Sequence, residues 1–174
     1  MGRTRKLQPP ARARKRLKGR SDTEISAAML KHAQREILKC VRLDRTYDIP
    51  YLAGYSRNGR TIYIDRHLPR TLTHFWRRVR VDPFLILHEA IEKALLGRLG
   101  LHYQHAHQIA LRAEQAAVKA SGISWRAYDR FMQQHIKHAA DERLTRVPAD
   151  LEIKPYTDER DYQLLKRMQR AMRD

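Results

Sequence analysis

Residues 87–114, LHEAIEKALLGRLGLHYQHAHQIALRAE, decide how this chain is read. His88 and Glu92 are four apart, so a helix carries both on one face and lets them reach one metal ion. Glu89 points about 100° around the same helix, beside that ion, where a base acting on bound water is needed. The pattern is HExxH with Glu in place of the second His. Asp82-Pro83 marks the start of this helix, Asp as cap and Pro at the first helical position, and Gly97 to Gly100 mark its fraying end. A second helix is expected from Tyr103 to Ala120, closed by Ser121-Gly122. On it, His107 and Glu114 are seven apart and share a stripe with Tyr103 and Ala110. The short link makes the two helices antiparallel neighbours. His88, Glu92 and His107 then offer two imidazoles and a carboxylate, a set that suits Zn2+ or another divalent transition metal and leaves a fourth position open. Glu114 is either a further ligand or an outer residue that orients His107.

With nine histidines in the chain, a His/Glu pair at this spacing can arise by chance, with Glu92 pairing Arg98 instead. The setting argues against chance: His88 lies within FLILHEA, where an imidazole without partners would be poorly satisfied in a core. His102 and His105 are second choices for the third ligand because they point off the Tyr103-His107 face. His135 and His138 read as an exposed helix end, and His32, His67 and His74 carry no pattern.

Upstream, YDIPYLAGYSRNGRTIYIDRHLP changes period. Asn58-Gly59 suits a tight turn between strands near 50–56 and 60–65. Before it, Ser21 and Glu24 form a capping box for a helix with Ile25, Met29, Ala33, Ile37 and Val41 on its buried stripe. Downstream, a helix is expected from Trp125 to about Arg143, and Pro148 and Pro155 precede a last helix with Leu164, Leu165, Met168 and Met172 on one side. The expected fold class is α+β, mainly helical, with about five helices and a small hairpin or sheet. It divides into a basic arm (1–20), a helical metal-binding domain (21–146) and a C-terminal extension (147–174). Trp76, Tyr63 and Trp125 read as packing residues, and Cys40, the one cysteine, as a buried thiol.

The 174 residues, 42% hydrophobic, suffice for one core, and the net charge of +17 draws polyanions. Nine Lys/Arg and no acid occupy the first twenty residues. Arg12, Arg14, Lys15, Arg16, Lys18 and Arg20 are either a disordered phosphate-binding arm or a solubilising tail. No run of about 20 apolar residues exists, and no signal-peptide core follows the basic N-terminus, so a cytoplasmic protein is expected.

RTIYIDRHLP followed by a helix containing HEAIE resembles the strand-then-metal-helix core of minimal zincin metallopeptidases of bacteria and phages. It is also similar to phage-encoded proteins that pair HExxE with a downstream YxxAHxxAxxxE. The resemblance spans Tyr51 to Ala117. It implies a zincin-like core, His88 as a ligand, Glu89 as general base and Tyr63 to Asp65 as the edge along which substrate lies. Glu92 departs from the family motif. A carboxylate there leaves the metal less positive and its water less acidic.

Two functions follow as expectations. One is a zinc-dependent hydrolase of the peptidase type acting on a peptide or protein substrate. The other is a phage or prophage accessory protein that binds nucleic acid through its basic arm and keeps an inactive zincin-like core.

Overall fold

The computed structural model describes residues 26–141 and 144–172. The arm residues Arg12 to Arg20 and the capping box at Ser21-Glu24 lie outside them. Among the described residues the fold is α+β and mainly helical, with α1 (Ala27–Cys40), β1 (Arg42–Asp44), β2 (Ala53–Tyr55), β3 (Thr61–Ile64), β4 (Thr71–His74), β5 (Arg77–Arg80), α2 (Asp82–Leu99), α3 (Tyr103–Ala120), α4 (Trp125–Asp141), α5 (Lys154–Asp158) and α6 (Tyr162–Ala171). No helix among them is long and apolar enough to cross a membrane.

The β2–β3 hairpin forms where the Asn58-Gly59 signal places it, with Gly54 opposite Tyr63. Gly59 takes φ 66°, a backbone that glycine adopts without penalty, and a Cβ there would meet Lys93 Cε at 1.9 Å. Lys93 on α2 donates to the Gly59 carbonyl, so the turn is tied to the helix that carries His88. Two further strand pairings lack a local sequence signal. β1 pairs in parallel with β3, giving the order β1-β3-β2, and β4 pairs with β5 as a separate hairpin.

α2 packs most closely on α3, and Gly100 in a left-handed conformation ends α2 (φ 62°). Asp82 is not the cap of α2. It occupies the first helical turn, where its buried carboxylate pairs with Arg45 and Arg80. On α1 the buried residue is Leu30, while Met29 is 56% exposed; the apolar stripe is therefore rotated from the expected one. Ser26 caps α1 by accepting from the Met29 amide at 3.1 Å. Cys40 is exposed at the end of α1 and not buried as expected, because only one side of this helix meets the core.

The main core joins Leu30, Ile64, Leu72, Phe84, Val118, Tyr128 and Met132. A second core unites Ile49, Tyr63, Val147, Leu151, Tyr156, Leu164 and Met168, so residues 147–172 pack on the sheet. Asp48 anchors this joint. Its carboxylate accepts from the amides of Thr145 (2.7 Å) and Arg146 (2.9 Å) and pairs with Arg66 at 2.6 Å. Burial pushes the Asp48 carboxyl up, but the bonds from Thr145 and Arg146 and the Arg66 charge outweigh burial and hold it below its ordinary range.

A depressed carboxyl contributes stability above its unfolded value, about 3.9, and loses it as pH falls through the lower folded value. Asp48→Ala should therefore cost about 2–3 kcal/mol at pH 7, read by urea unfolding. The gap to the parent should narrow towards pH 3; a gap independent of pH would contradict this role.

Candidate functional site

The two helices bring the expected residues together. Along α2 from His88 to Glu92, the partners on α3 run backwards from Glu114 to His107, as antiparallel packing requires. His88 Nε2 lies 3.1 Å from His107 Nδ1 and 3.4 Å from Glu92 Oε2, and His107 Nδ1 lies 3.1 Å from the same Glu92 oxygen. His88, Glu92 and His107 are the group among the described residues whose donor atoms could hold a metal ion. A tetrahedral ion with bonds of about 2.0–2.1 Å spaces its donors about 3.3–3.4 Å apart, close to the triangle seen.

Counting protons shows why the triangle is unusual. An ionised carboxylate only accepts, so the 2.8 Å contact between His88 Nδ1 and Glu114 Oε2 is an Nδ1–H donating to Glu114. In neutral His88 the Nε2 lone pair therefore faces Glu92 and His107. Unless the ring hydrogen of His107 lies on Nδ1 and points at one of the other two atoms, an added proton or a metal ion must separate the three lone pairs. A second proton on His88, at Nε2, is one way to fill that role. Burial pushes the His88 imidazolium down, but its bonds to Glu114 and Glu92 outweigh burial and take it up to about 10. Glu92 is held below the usual carboxylate range: burial raises it, and the bonds from His107 and His88 lower it further than burial raises it.

Glu114 takes a place the sequence did not assign. It binds His88 on the nitrogen that faces away from the triangle, not His107, and it is not a corner of the triangle. Its other oxygen accepts from the Tyr128 hydroxyl. The chain Tyr128-Glu114-His88 fixes the tautomer and aim of the imidazole, as carboxylates behind metal-bound histidines do. Tyr128 was not singled out in the sequence, because a lone tyrosine on an apolar helix face reads as core.

Glu89 is buried, 6% exposed, and lines the same cavity. Burial raises its carboxyl, Glu92 and Glu114 add to the rise, and His88 opposes it, leaving it at about 8. No described residue donates a hydrogen bond to it. Tyr103 reaches within 3.3 Å of His107 Nδ1, and its phenol is pushed far up, by burial first and then by Glu92 and Glu89. It therefore remains a donor at neutral pH.

The cavity, about 180 Å³, is bounded by β2, α2, α3, α4 and the C-terminal segment. Leu85, Leu111, Met132 and Ile136 give it an apolar wall, while Tyr55, Tyr103, Tyr128 and Tyr156 bring phenols to it. β2 is the edge strand here, not β3. β3 is central, and the expected edge residues Tyr63 to Asp65 hold the fold: the Tyr63 hydroxyl donates to Asp150 at 2.6 Å, and Asp65 accepts from the Ile49 amide at 2.7 Å. The outer edge of β2 is covered at its end, where Tyr55 accepts from the Glu152 amide at 2.8 Å and Ser56 pairs with Leu151. Leu52, just before β2, takes φ 70°, a conformation that bulky residues occupy at a cost.

The remaining histidines stand apart. His102 caps α3 and lies 4.0 Å from Asp158, and His135 bonds the Phe131 carbonyl at 2.8 Å. The side chain of His138 lies outside the described residues. Compared with known proteins, the chain matches no family model, no curated protein and no solved structure.

A histidine whose folded value is raised contributes stability fully below about 6.5 and loses it as pH rises through about 10. In chelator-treated protein, nitrogen NMR should show the His88 ring doubly protonated at pH 8, and Glu114→Gln should bring its midpoint down. A midpoint near 6.5 in both proteins would contradict the hydrogen-bond assignment.

Proposed function

We propose that the chain is a zinc-dependent hydrolase of the peptidase type, with His88, Glu92 and His107 as ligands and Glu89 as general base. The observation that carries this reading is the triangle of donor atoms, two of its residues buried and His107 part-exposed, with edges of 3.1–3.4 Å. Zinc, when bound there, supplies the positive charge that polarises a carbonyl and acidifies water.

The remaining chemistry belongs to the protein. Glu89, whose carboxyl is raised to about 8 in the metal-free protein, would be held ionised beside a bound cation, take the proton of the attacking water and pass it to the leaving amine. The Tyr103 hydroxyl donates to the carbonyl oxygen as it gains charge. Glu114 and Tyr128 hold His88 in the tautomer that leaves Nε2 free. β2, whose Ala53 lines the cavity and has no backbone partner outside the sheet among the described residues, accepts an extended peptide by strand addition, main chain to main chain. The cavity is smaller than the roughly 300–1,000 Å³ of common ligand pockets, which favours the entry of one apolar side chain, against Leu85, Leu111 and Met132, over a whole ligand. A zincin-like core and a cytoplasmic setting belong to the same proposal.

Elemental analysis of untagged protein is the first test. About one zinc per chain should be present, and absent from His88→Ala and His107→Ala; equal metal in all three would exclude the site. Glu114→Gln should keep the stoichiometry and lower zinc affinity by about 10–100-fold, as loss of an outer carboxylate does.

Screening against a peptide library tests the chemistry. Glu89→Gln should retain zinc and abolish cleavage, whereas Tyr103→Phe should lower kcat by about 10²–10³ with KM little changed. Undiminished cleavage by Glu89→Gln would eliminate the mechanism.

A further inference from the structure

The β4–β5 hairpin has features that the fold does not need. Its turn consists of Phe75 and Trp76, between the paired residues His74 and Arg77. Both rings stand in solvent, 79% and 88% exposed, so neither serves the core; Trp76 is not the packing residue that its sequence context implied. Phe75 also holds φ 54°. Positive φ at the first turn residue is a glycine position in two-residue hairpins, and a phenylalanine there costs stability. Exposed rings in a strained turn fit a binding role better than a folding one. His74, Phe75 and Trp76 form a short run of rings, with centroids 4.5 and 5.8 Å apart.

Beside this tip runs a cleft of about 640 Å³ between α1 and β5. Leu30, Val79 and Phe84 line it, together with Lys31 and Arg35 from α1 and Arg77, Arg78 and Arg80 from β5. No acid lines the cleft. Asp82, next in sequence, is buried and engaged by Arg45 and Arg80. Among the described residues, no carboxylate forms an ion pair with Lys31, Arg35, Arg77 or Arg78. Arg77 borders both the cleft and the aromatic tip, so the two form one continuous surface.

We propose that this surface binds single-stranded nucleic acid, with phosphates along the cleft and bases stacked on Trp76 and Phe75. Four of the five cations are arginines, whose planar forks match phosphate oxygens in pairs. Unpaired bases expose faces that stack on aromatic rings without regard to sequence. An anionic membrane would also meet cations and rings. However, the cations line a concavity, which fits a strand, and the apolar contribution at the tip is two rings rather than an apolar helix face. The site is separate from the His88 cavity and does not depend on the hydrolase reading.

The test uses the full chain and a fluorescent dT20 oligonucleotide, with anisotropy measured against salt. Tryptophan quenching reports the tip, because Trp125, the second of the two tryptophans, is half-buried. Arg77→Ser combined with Arg78→Ser should flatten the plot of log affinity against log salt by about 1.4, two single-strand phosphate contacts at about 0.7 each. Phe75→Ser combined with Trp76→Ser should weaken binding at least five-fold at an unchanged slope and remove most of the quenching. All these side chains are at the surface, so melting temperatures should hold. Parental affinity and slope in both variants would overturn the proposal. So would Trp76-dependent binding to phosphatidylserine vesicles with none to dT20.

Discussion

The architecture turns on one constraint: two imidazole nitrogens and a carboxylate oxygen within 3.4 Å of one another need a ring hydrogen pointed between them or a metal ion at their centre, because three lone pairs facing one another repel. Either a proton or a metal ion satisfies that demand. Much of the surrounding structure serves to keep the three atoms there. The antiparallel packing of α2 on α3 sets His88 against Glu114 and Glu92 against His107. The Tyr128-Glu114 chain aims His88, and Lys93 fastens the turn of the β2–β3 hairpin to the back of the same helix.

The C-terminal segment completes the arrangement. Pro155 and Tyr156 close one side of the cavity, Glu152 covers the end of β2, and Asp48 fixes the approach to that segment through Thr145 and Arg146. The cavity is thus walled by pieces far apart in the chain. Glu89 lies within this enclosure with no hydrogen-bond donor among the described residues, and burial raises its carboxyl.

Much of the helical core was legible because periodicity is local. The spacing of His88, Glu92, His107 and Glu114 placed four side chains on two facing stripes, and Gly97 to Gly100 and Ser121-Gly122 marked the helix ends. Asn58-Gly59 likewise carried its own hairpin. What escaped depends on tertiary context. Parallel pairing of β1 with β3 leaves no local pattern, and the β4–β5 turn uses Phe75 and Trp76 where Gly or Asn would have announced it. Glu114 was read as either a further ligand or a partner of His107 because both lie on α3, yet the neighbour it meets is His88, across the interface on α2. The exposure of Met29 and Cys40 shows the limit of a stripe read on one helix alone, since the partner surface decides which side is buried. Tyr103 and Tyr128 became functional candidates only when their hydroxyls were seen beside charged groups.

X-ray absorption at the zinc edge of the zinc-loaded protein reads the neighbours of the ion itself. A site built on His88, Glu92 and His107 should give a low-coordinate shell of imidazole nitrogen and oxygen at about 2.0–2.1 Å, without sulfur near 2.3 Å, that collapses in His88→Ala. A six-oxygen shell, or a spectrum that His88→Ala leaves unchanged, would place the metal elsewhere and rule out the two-helix site.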